Sequence, residues 1–267
     1  MACLFYFTDF TAPSLTALEN ILSLADTLRA RILFVHFIPG KTDQPVLPEE
    51  ETVLTIHLNA FRHCVMQYAY AQNCRMLTGH LYLRTGDTQS LQLAIKKYDP
   101  YAAVYIHGYA GIPFGNLKPV LFNNGTCMIC SSPDLQLPSR IRPLYIGGLA
   151  NLNEPVMDGL MHLIGLLRDK LDIIYPAEEF DMERSFKNKY IDAFRYDHLH
   201  VQPIKHFGLH ILRRADTQVS LVLIHAAEIP ALEAQEEVET WPAAYQVPFL
   251  IFPEKYSFRA VSLEGSE

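Results

Sequence analysis

A glycine-rich stretch at residues 107–117 (HGYAGIPFGNL) has the composition in this sequence that best suits ligand binding. It contains Gly108, Gly111 and Gly115, and glycine lets a backbone turn tightly and approach a bound molecule. Asn116 precedes an apolar helical pattern, so the spacing predicts a helix cap whose N–H groups can bind an anion. The alternative is an ordinary glycine-rich turn before a capped helix. The stretch matches neither the P-loop pattern nor the dinucleotide-binding fingerprint.

Asp9 is a second candidate for ligand binding, because it closely follows the apolar run Cys3–Phe7. A carboxylate at the end of a buried strand can accept a hydrogen bond from a base or a ribose. Asp9 or Thr11 can instead cap a helix that begins at Ala12, and the general preference of Asp for such positions favours this interpretation. The residues alone leave both roles open.

Short apolar runs alternate with helical patterns along the first half of the chain, which predicts a parallel sheet with helices on both faces. In such a sheet, ligands bind beyond the carboxyl ends of the strands, where the strand order reverses. The predicted strands are Cys3–Phe7, Arg31–Pro39, Gly79–Leu83, Ala102–His107 and Thr126–Ser131, and the predicted helices are Ala12–Ala30, Leu54–Asn73, Thr88–Tyr98 and Leu117–Asn123.

The same order of apolar runs starts again after a Pro-containing linker, Ser132–Arg140. Tyr145 matches Tyr6, and an Ile-His pair ends the fourth run of each half. The pattern therefore predicts two tandem α/β domains, residues 1–135 and 140–267. The matching strands of the second half are Pro143–Gly147, Leu171–Pro176, His198–Val201, Leu221–His225 and Val247–Pro253, with a helix at Met157–Leu167.

The first half resembles the universal stress protein (UspA) family. The residues that carry the resemblance are Thr8-Asp9-Phe10, Val35-His36-Phe37, Thr85-Gly86-Asp87, and Gly108 and Gly111 with Gly115-Asn116. The resemblance implies an open, Rossmann-like parallel sheet with strand order 3-2-1-4-5, and the two-copy layout is similar to that of tandem members. The second half matches only in its strand pattern.

The resemblance also implies a nucleotide site, since one branch of the family binds ATP. The implied adenine side is Asp9 and Phe37, the implied phosphate side is Gly108, Gly111, Gly115 and Asn116, and Thr8 is a further implied nucleotide-binding residue. Only three residues separate Gly111 from Gly115, where the family's ATP loop has nine, and Phe37 replaces a small Val. A loop this short cannot wrap a triphosphate in the same way. ATP, AMP, another adenine compound and no ligand at all therefore remain as alternatives.

The second half lacks the corresponding chemistry. Gly148 stands where Asp9 does, and a further set of residues replaces the phosphate side: Ala226, Ile229, Gln235 and Glu236. We expect this half not to bind nucleotide and to cover the fifth strand of the first half through Val247–Phe252. An uncovered edge strand has unpaired backbone N–H and C=O groups that can pair with another strand. Such internal pairing is compatible with a monomer and with a homodimer.

Composition narrows the class of protein. A net charge of −7 and a pI near 5.9 argue against nucleic-acid binding. The apolar runs are too short for a membrane helix, and five Cys without an export signal indicate a cytoplasmic location with free thiols. Cys127 and Cys130 lie within one predicted strand and should point to opposite faces, so we expect two buried thiols rather than a metal or redox motif.

Taken together, these patterns predict a universal-stress-type regulatory or binding protein rather than an enzyme, with one adenine-nucleotide site in the first half and no metal site. The alternative is a structural or interaction protein in which both sites have decayed. A weak nucleotide hydrolase is a third hypothesis, and the glycine-rich stretch counts against it because it offers no catalytic base or metal-binding carboxylate.

Overall fold

The computed structural model describes residues 2–256, except for 41–44, 46, 86, 109–110, 136–140, 168–169, 191–198, 206–207, 214–218 and 234–236. Strands and helices alternate through both halves of the chain. The strands are β1 (Ala2–Phe7), β2 (Ala30–Ile38), β3 (Thr78–Arg84), β4 (Ala102–Ile106), β5 (Cys127–Ser131), β6 (Pro143–Ile146), β7 (Leu171–Pro176), β8 (Leu199–Ile204), β9 (Leu221–His225) and β10 (Phe249–Phe252).

Helices cover both faces of the sheet. They are α1 (Ala12–Thr27), α2 (Pro48–Ala71), α3 (Thr88–Tyr98), α4 (Phe114–Asn123), α5 (Glu154–Leu167), α6 (Phe180–Tyr190), α7 (Ile229–Leu232) and α8 (Trp241–Tyr245). No helix among the described residues is both long and apolar enough to cross a membrane.

The strands form one ten-stranded sheet in the order β3-β2-β1-β4-β5-β10-β9-β6-β7-β8. The first half has the predicted order 3-2-1-4-5, and the second half repeats it from the opposite edge. The two halves join where β5 runs antiparallel to β10, with Cys130 opposite Phe249. The expectation that Val247–Phe252 covers the fifth strand of the first half is confirmed, because backbone hydrogen bonds between β5 and β10 continue the sheet across the boundary between the halves.

Two hydrophobic clusters lie on opposite faces of the sheet. Successive residues of a strand point to opposite faces, so Tyr6 belongs to one cluster and Phe7 to the other. Cys127 and Cys130 are likewise buried in different clusters as free thiols, as their spacing predicts. Burial raises the pKa of both thiols.

Several helix boundaries differ from the predicted ones, among them the start of α5 at Glu154 rather than Met157 and the end of α2 at Ala71 rather than Asn73. α2 begins at Pro48 rather than Leu54, because a proline fits the first turn and Glu50 accepts a hydrogen bond from the Leu47 N–H, 2.8 Å away. α4 begins at Phe114, three residues early. α1 ends at Thr27, because Arg29 has a left-handed conformation (φ 50°) that ends the helix before β2.

Candidate functional site

The predicted site segments meet at one edge of the first-half sheet. β1 lies between β2 and β4, with Phe7 paired with Val35 and Tyr6 with Val104. From β1 the chain adds β2 and β3 on one side of β1, and then returns to add β4 and β5 on its other side. The strand order therefore reverses between β1 and β4, and α/β proteins bind ligands at such a switch point. The residues that follow these strands therefore share this edge.

Thr8 fixes the backbone at the end of β1 and is fully buried. Its N–H donates to Val35 O at 3.0 Å, and its Oγ1 accepts from the Phe10 N–H at 3.0 Å. His36 Nδ1 lies 2.7 Å from Thr8 O. Burial lowers the pKa of His36, while the Thr8 carbonyl and Asp9 act in the opposite direction. A neutral ring with a proton on Nδ1 can donate to Thr8 O.

Asp9 holds the first turn of α1. Its Oδ1 accepts hydrogen bonds from the Thr11 N–H (3.0 Å), the Thr11 hydroxyl (2.6 Å) and the Ser14 hydroxyl (2.7 Å). Thr11 occupies the N-cap position but makes no side-chain cap of its own. The sequence left two roles open for Asp9, ligand binding and helix capping. These contacts are those of a helix cap.

Phe37 places its ring in the core, not at the edge of the sheet. The side chain is 2% exposed and stacks on Phe7 with 6.0 Å between the ring centroids. The backbone two residues further on is held by Arg84, whose guanidinium donates to Pro39 O at 2.9 Å and to both carboxylate oxygens of Glu50. The end of β2 thus has a fixed position beside β1.

Gly108 requires the conformational freedom of glycine, because its φ is +85°. A Cβ built there would meet no atom within 4 Å, so the space beside the residue is open. Next to it, the buried Nδ1 of His107 has no hydrogen-bond partner within the described part of the chain. The predicted glycine Gly111 is described and half-buried, and residues 109–110 lie outside the described residues.

The predicted helix cap is corrected by the structure. Pro113, not Asn116, occupies the N-cap position of α4, and the Asn116 N–H donates to Pro113 O at 3.0 Å. Gly115 is the second residue of the helix, and a Cβ built there would also meet no atom within 4 Å. The N–H groups of Phe114 and Gly115 come before the first intrahelical bonds, so the donors suited to an anion lie earlier than predicted.

Solved structures supply the comparison, since no protein-family model and no curated protein matches the sequence. A universal stress protein from Archaeoglobus fulgidus DSM 4304 is 13% identical, with a TM-score of 0.61 over 94% of this chain and 96% of that chain. A Pseudomonas aeruginosa UCBPP-PA14 structure described as a universal stress protein is also 13% identical, with a TM-score of 0.55 over 94% of this chain and 92% of that chain. This chain has the universal stress protein fold.

In the second half of this universal stress protein fold, side-chain carboxylates occupy the matching edge. The Gly148 N–H donates to Glu228 Oε1 at 2.7 Å, and the Leu149 N–H donates to Glu179 Oε2 at 2.6 Å. The amide of Asn151 also donates to Glu228. The two carboxylates come from the turns after β9 and β7, so the backbone donors at the end of β6 are bound by the chain itself.

Glu179 and Glu228 were not predicted as functional residues from the sequence, although the second half was expected not to bind nucleotide. The sequence signal that was available is that each Glu closely follows a buried strand. Burial, together with these two carboxylates, raises the pKa of Tyr145. The replacements Gln235 and Glu236, named from the sequence, lie outside the described residues.

Side chains of the metal-ligating types lie apart from one another in the described part of the chain. Among the described residues, no three His, Cys, Asp or Glu side chains group closely enough to hold an ion. The exposed His200 of β8 instead has its Nδ1 atom 3.4 Å from Asp172 Oδ1 of the neighbouring strand β7. His198, which the sequence places on the same face as His200, lies outside the described residues.

Proposed function

We propose that this protein is a universal-stress-type regulatory protein that binds one adenine nucleotide in the domain formed by residues 1–135 and acts by binding rather than by catalysis. The observation that carries the proposal is a contrast between the two halves at the carboxyl ends of their strands. In the first half, open space adjoins Gly108 and Gly115. In the second half, residues 140–267, Glu179 and Glu228 already bind the backbone N–H groups of Leu149 and Gly148, and Gly148 stands where Asp9 does in the first half.

The proposed adenine side combines Thr8 and Asp9 with the backbone at Phe37. The role of Asp9 in capping does not exclude a second role in binding, because a carboxylate can accept about four hydrogen bonds. The hydrogen bonds that fix the backbone at Thr8 and, through Arg84, at Pro39 support this assignment. A backbone that is already fixed loses less conformational entropy when a ligand binds.

The proposed phosphate side is the start of α4, with Gly108, Gly111, Gly115 and Asn116 around it. A helix N-terminus carries partial positive charge and suits a phosphate group. The three residues between Gly111 and Gly115 form a short connection that suits one phosphate better than three. We therefore expect AMP to bind more tightly than ATP.

The test is calorimetric titration of the full chain with AMP, ADP and ATP, using two variants of Gly115. The Cβ atom that either substitution adds meets no atom within 4 Å, so both variants should fold. Gly115→Glu places a carboxylate where the helix dipole favours it, yet repels a phosphate. We expect this variant to weaken AMP binding by at least about tenfold, and the matched control Gly115→Lys to bind AMP at least as tightly as wild type.

Equal AMP affinities in the two variants would contradict the proposed phosphate side. Thermal unfolding of each variant, followed by circular dichroism, should show no loss of stability, so that a change in binding is not a change in folding.

A nucleotide-free interaction protein is the second candidate function. The observation that favours it is the set of three hydrogen bonds that Asp9 Oδ1 already accepts within the chain. Calorimetry and thermal unfolding of the wild-type protein with the three nucleotides distinguish the two candidate functions. Absence of heat and of thermal shift with all three nucleotides would support the interaction protein and contradict nucleotide binding.

A further inference from the structure

Helix α2 is buried along one side only. Its core residues are Leu54, Leu58, Phe61 and Val65, whose spacing of four, three and four residues places them on a single face. The opposite face is exposed along the whole helix, from Pro48 to Ala71. An exposed face of this length ordinarily carries charged and polar side chains.

Large apolar side chains are concentrated on this exposed face. Of nine exposed large hydrophobic residues among those described, four lie on α2, including Ile56 (64% exposed) and Tyr70 (90% exposed). Three of these four, Val53, Ile56 and Tyr70, fall on one line of exposed residues that recur at a spacing of three and four, the spacing used in a coiled coil. We call this set the α2 stripe: Val53, Ile56, Ala60, His63, Gln67 and Tyr70.

The α2 stripe has a spacing that matches its own when the helix is turned end for end. Its positions are symmetric about the midpoint of the helix, so an antiparallel copy places Val53 opposite Tyr70, Ile56 opposite Gln67, and Ala60 opposite His63. The small Ala60 near the centre lets two helices approach closely, at about 8–10 Å between axes. A parallel copy would instead place each residue opposite itself and pair Tyr70 with Tyr70.

Charge favours the same antiparallel arrangement. Exposed Glu49 and Glu51 lie in the first turn of α2, and exposed Arg75 follows its last turn. The last turn of α2 itself has no basic side chain, but antiparallel packing brings Glu49 and Glu51 of one helix towards Arg75 of the other, whereas parallel packing brings the acidic ends together. The sheet edges at β5 and β10 are already paired within the chain, so a second copy cannot use them.

We propose that two copies of this chain associate through the α2 stripe as an antiparallel helix pair. The stripe is formed by residues outside the proposed nucleotide site, so the inference is independent of nucleotide binding. One pair of helices buries a small area, which is typical of a weak and reversible dimer.

Sedimentation velocity of the full chain between about 1 and 100 µM tests the association. Wild type should shift from monomer towards dimer over this range. Ile56→Glu places a charge inside the seam and should weaken the dimer by at least about tenfold. Leu93→Glu is the matched control, because Leu93 is 60% exposed on α3 and outside the stripe, and its dimer should be unchanged.

Disulfide trapping tests the orientation. A chain with Val53→Cys and Tyr70→Cys should form an intermolecular disulfide on mild oxidation. Val53→Cys alone should not, because antiparallel packing leaves the two copies of position 53 about 26 Å apart along the helix. The proposal is overturned by a wild-type monomer up to about 100 µM, by a dimer that Ile56→Glu leaves intact, or by equal trapping of the single and double variants.

Discussion

Replacement of Asp9 by Ala tests whether this carboxylate stabilises the fold in the absence of any ligand. The change removes the acceptor of three hydrogen bonds at the start of α1, two from Thr11 and one from the Ser14 hydroxyl. Ser14 is only 3% exposed, so water cannot readily replace its lost partner. The loss of a helix cap and of a bond to a buried hydroxyl should lower the free energy of unfolding by about 1–2 kcal/mol.

The assay is urea unfolding of the nucleotide-free protein, followed by circular dichroism at 222 nm. Asp9→Asn is the matched control, because it keeps an amide oxygen that can accept the same bonds without charge, and it should lose about half as much stability. The slope of the free energy against urea should be the same in all three proteins. A change below about 0.3 kcal/mol for Asp9→Ala would refute the capping role derived from the structure.

Three further predictions follow from the packing. Glu228→Ala leaves the Gly148 N–H without its acceptor and should lower the free energy of unfolding by about 1–3 kcal/mol, measured by urea titration; no change would contradict the account of the second-half edge. Phe37→Leu should lower that free energy by about 1 kcal/mol, because the ring is buried, and should leave AMP affinity unchanged in calorimetry; a gain in affinity would show that the ring obstructs the site. Cys127 and Cys130 should resist alkylation at pH 8 until the protein is unfolded, because burial raises their pKa, whereas rapid labelling of either in the native protein, read by peptide mass spectrometry, would contradict their packing.

Strand positions were predictable from sequence because buried strands leave short, uninterrupted apolar runs. β4 and β5, for example, are buried at all five of their positions. Helix α6 was not predicted, because only Phe186 and Tyr190 among its eleven residues are buried and no apolar period marks it. The start of α2 was misplaced for a related reason, since its first buried residue is Leu54, six residues after Pro48.

The candidate site was predictable only as far as local sequence determines it. Asp9 and the glycines were identified because each closely follows a strand. The cap at Pro113 was missed, because proline has no side-chain acceptor and Asn116 is the usual capping type. The carboxylates in the second half contact residues 30 and 80 positions away in the chain, and no local pattern reports contacts at that separation.

Hydrogen–deuterium exchange of the wild-type chain, with and without saturating AMP, tests most directly the claim of one nucleotide site in the first half. Peptides that cover Thr8–Thr11 and Gly111–Leu117 should exchange more slowly with AMP, and peptides that cover Gly147–Leu152 should not change. Slower exchange confined to the second half, or no change anywhere at saturating AMP, would contradict the account.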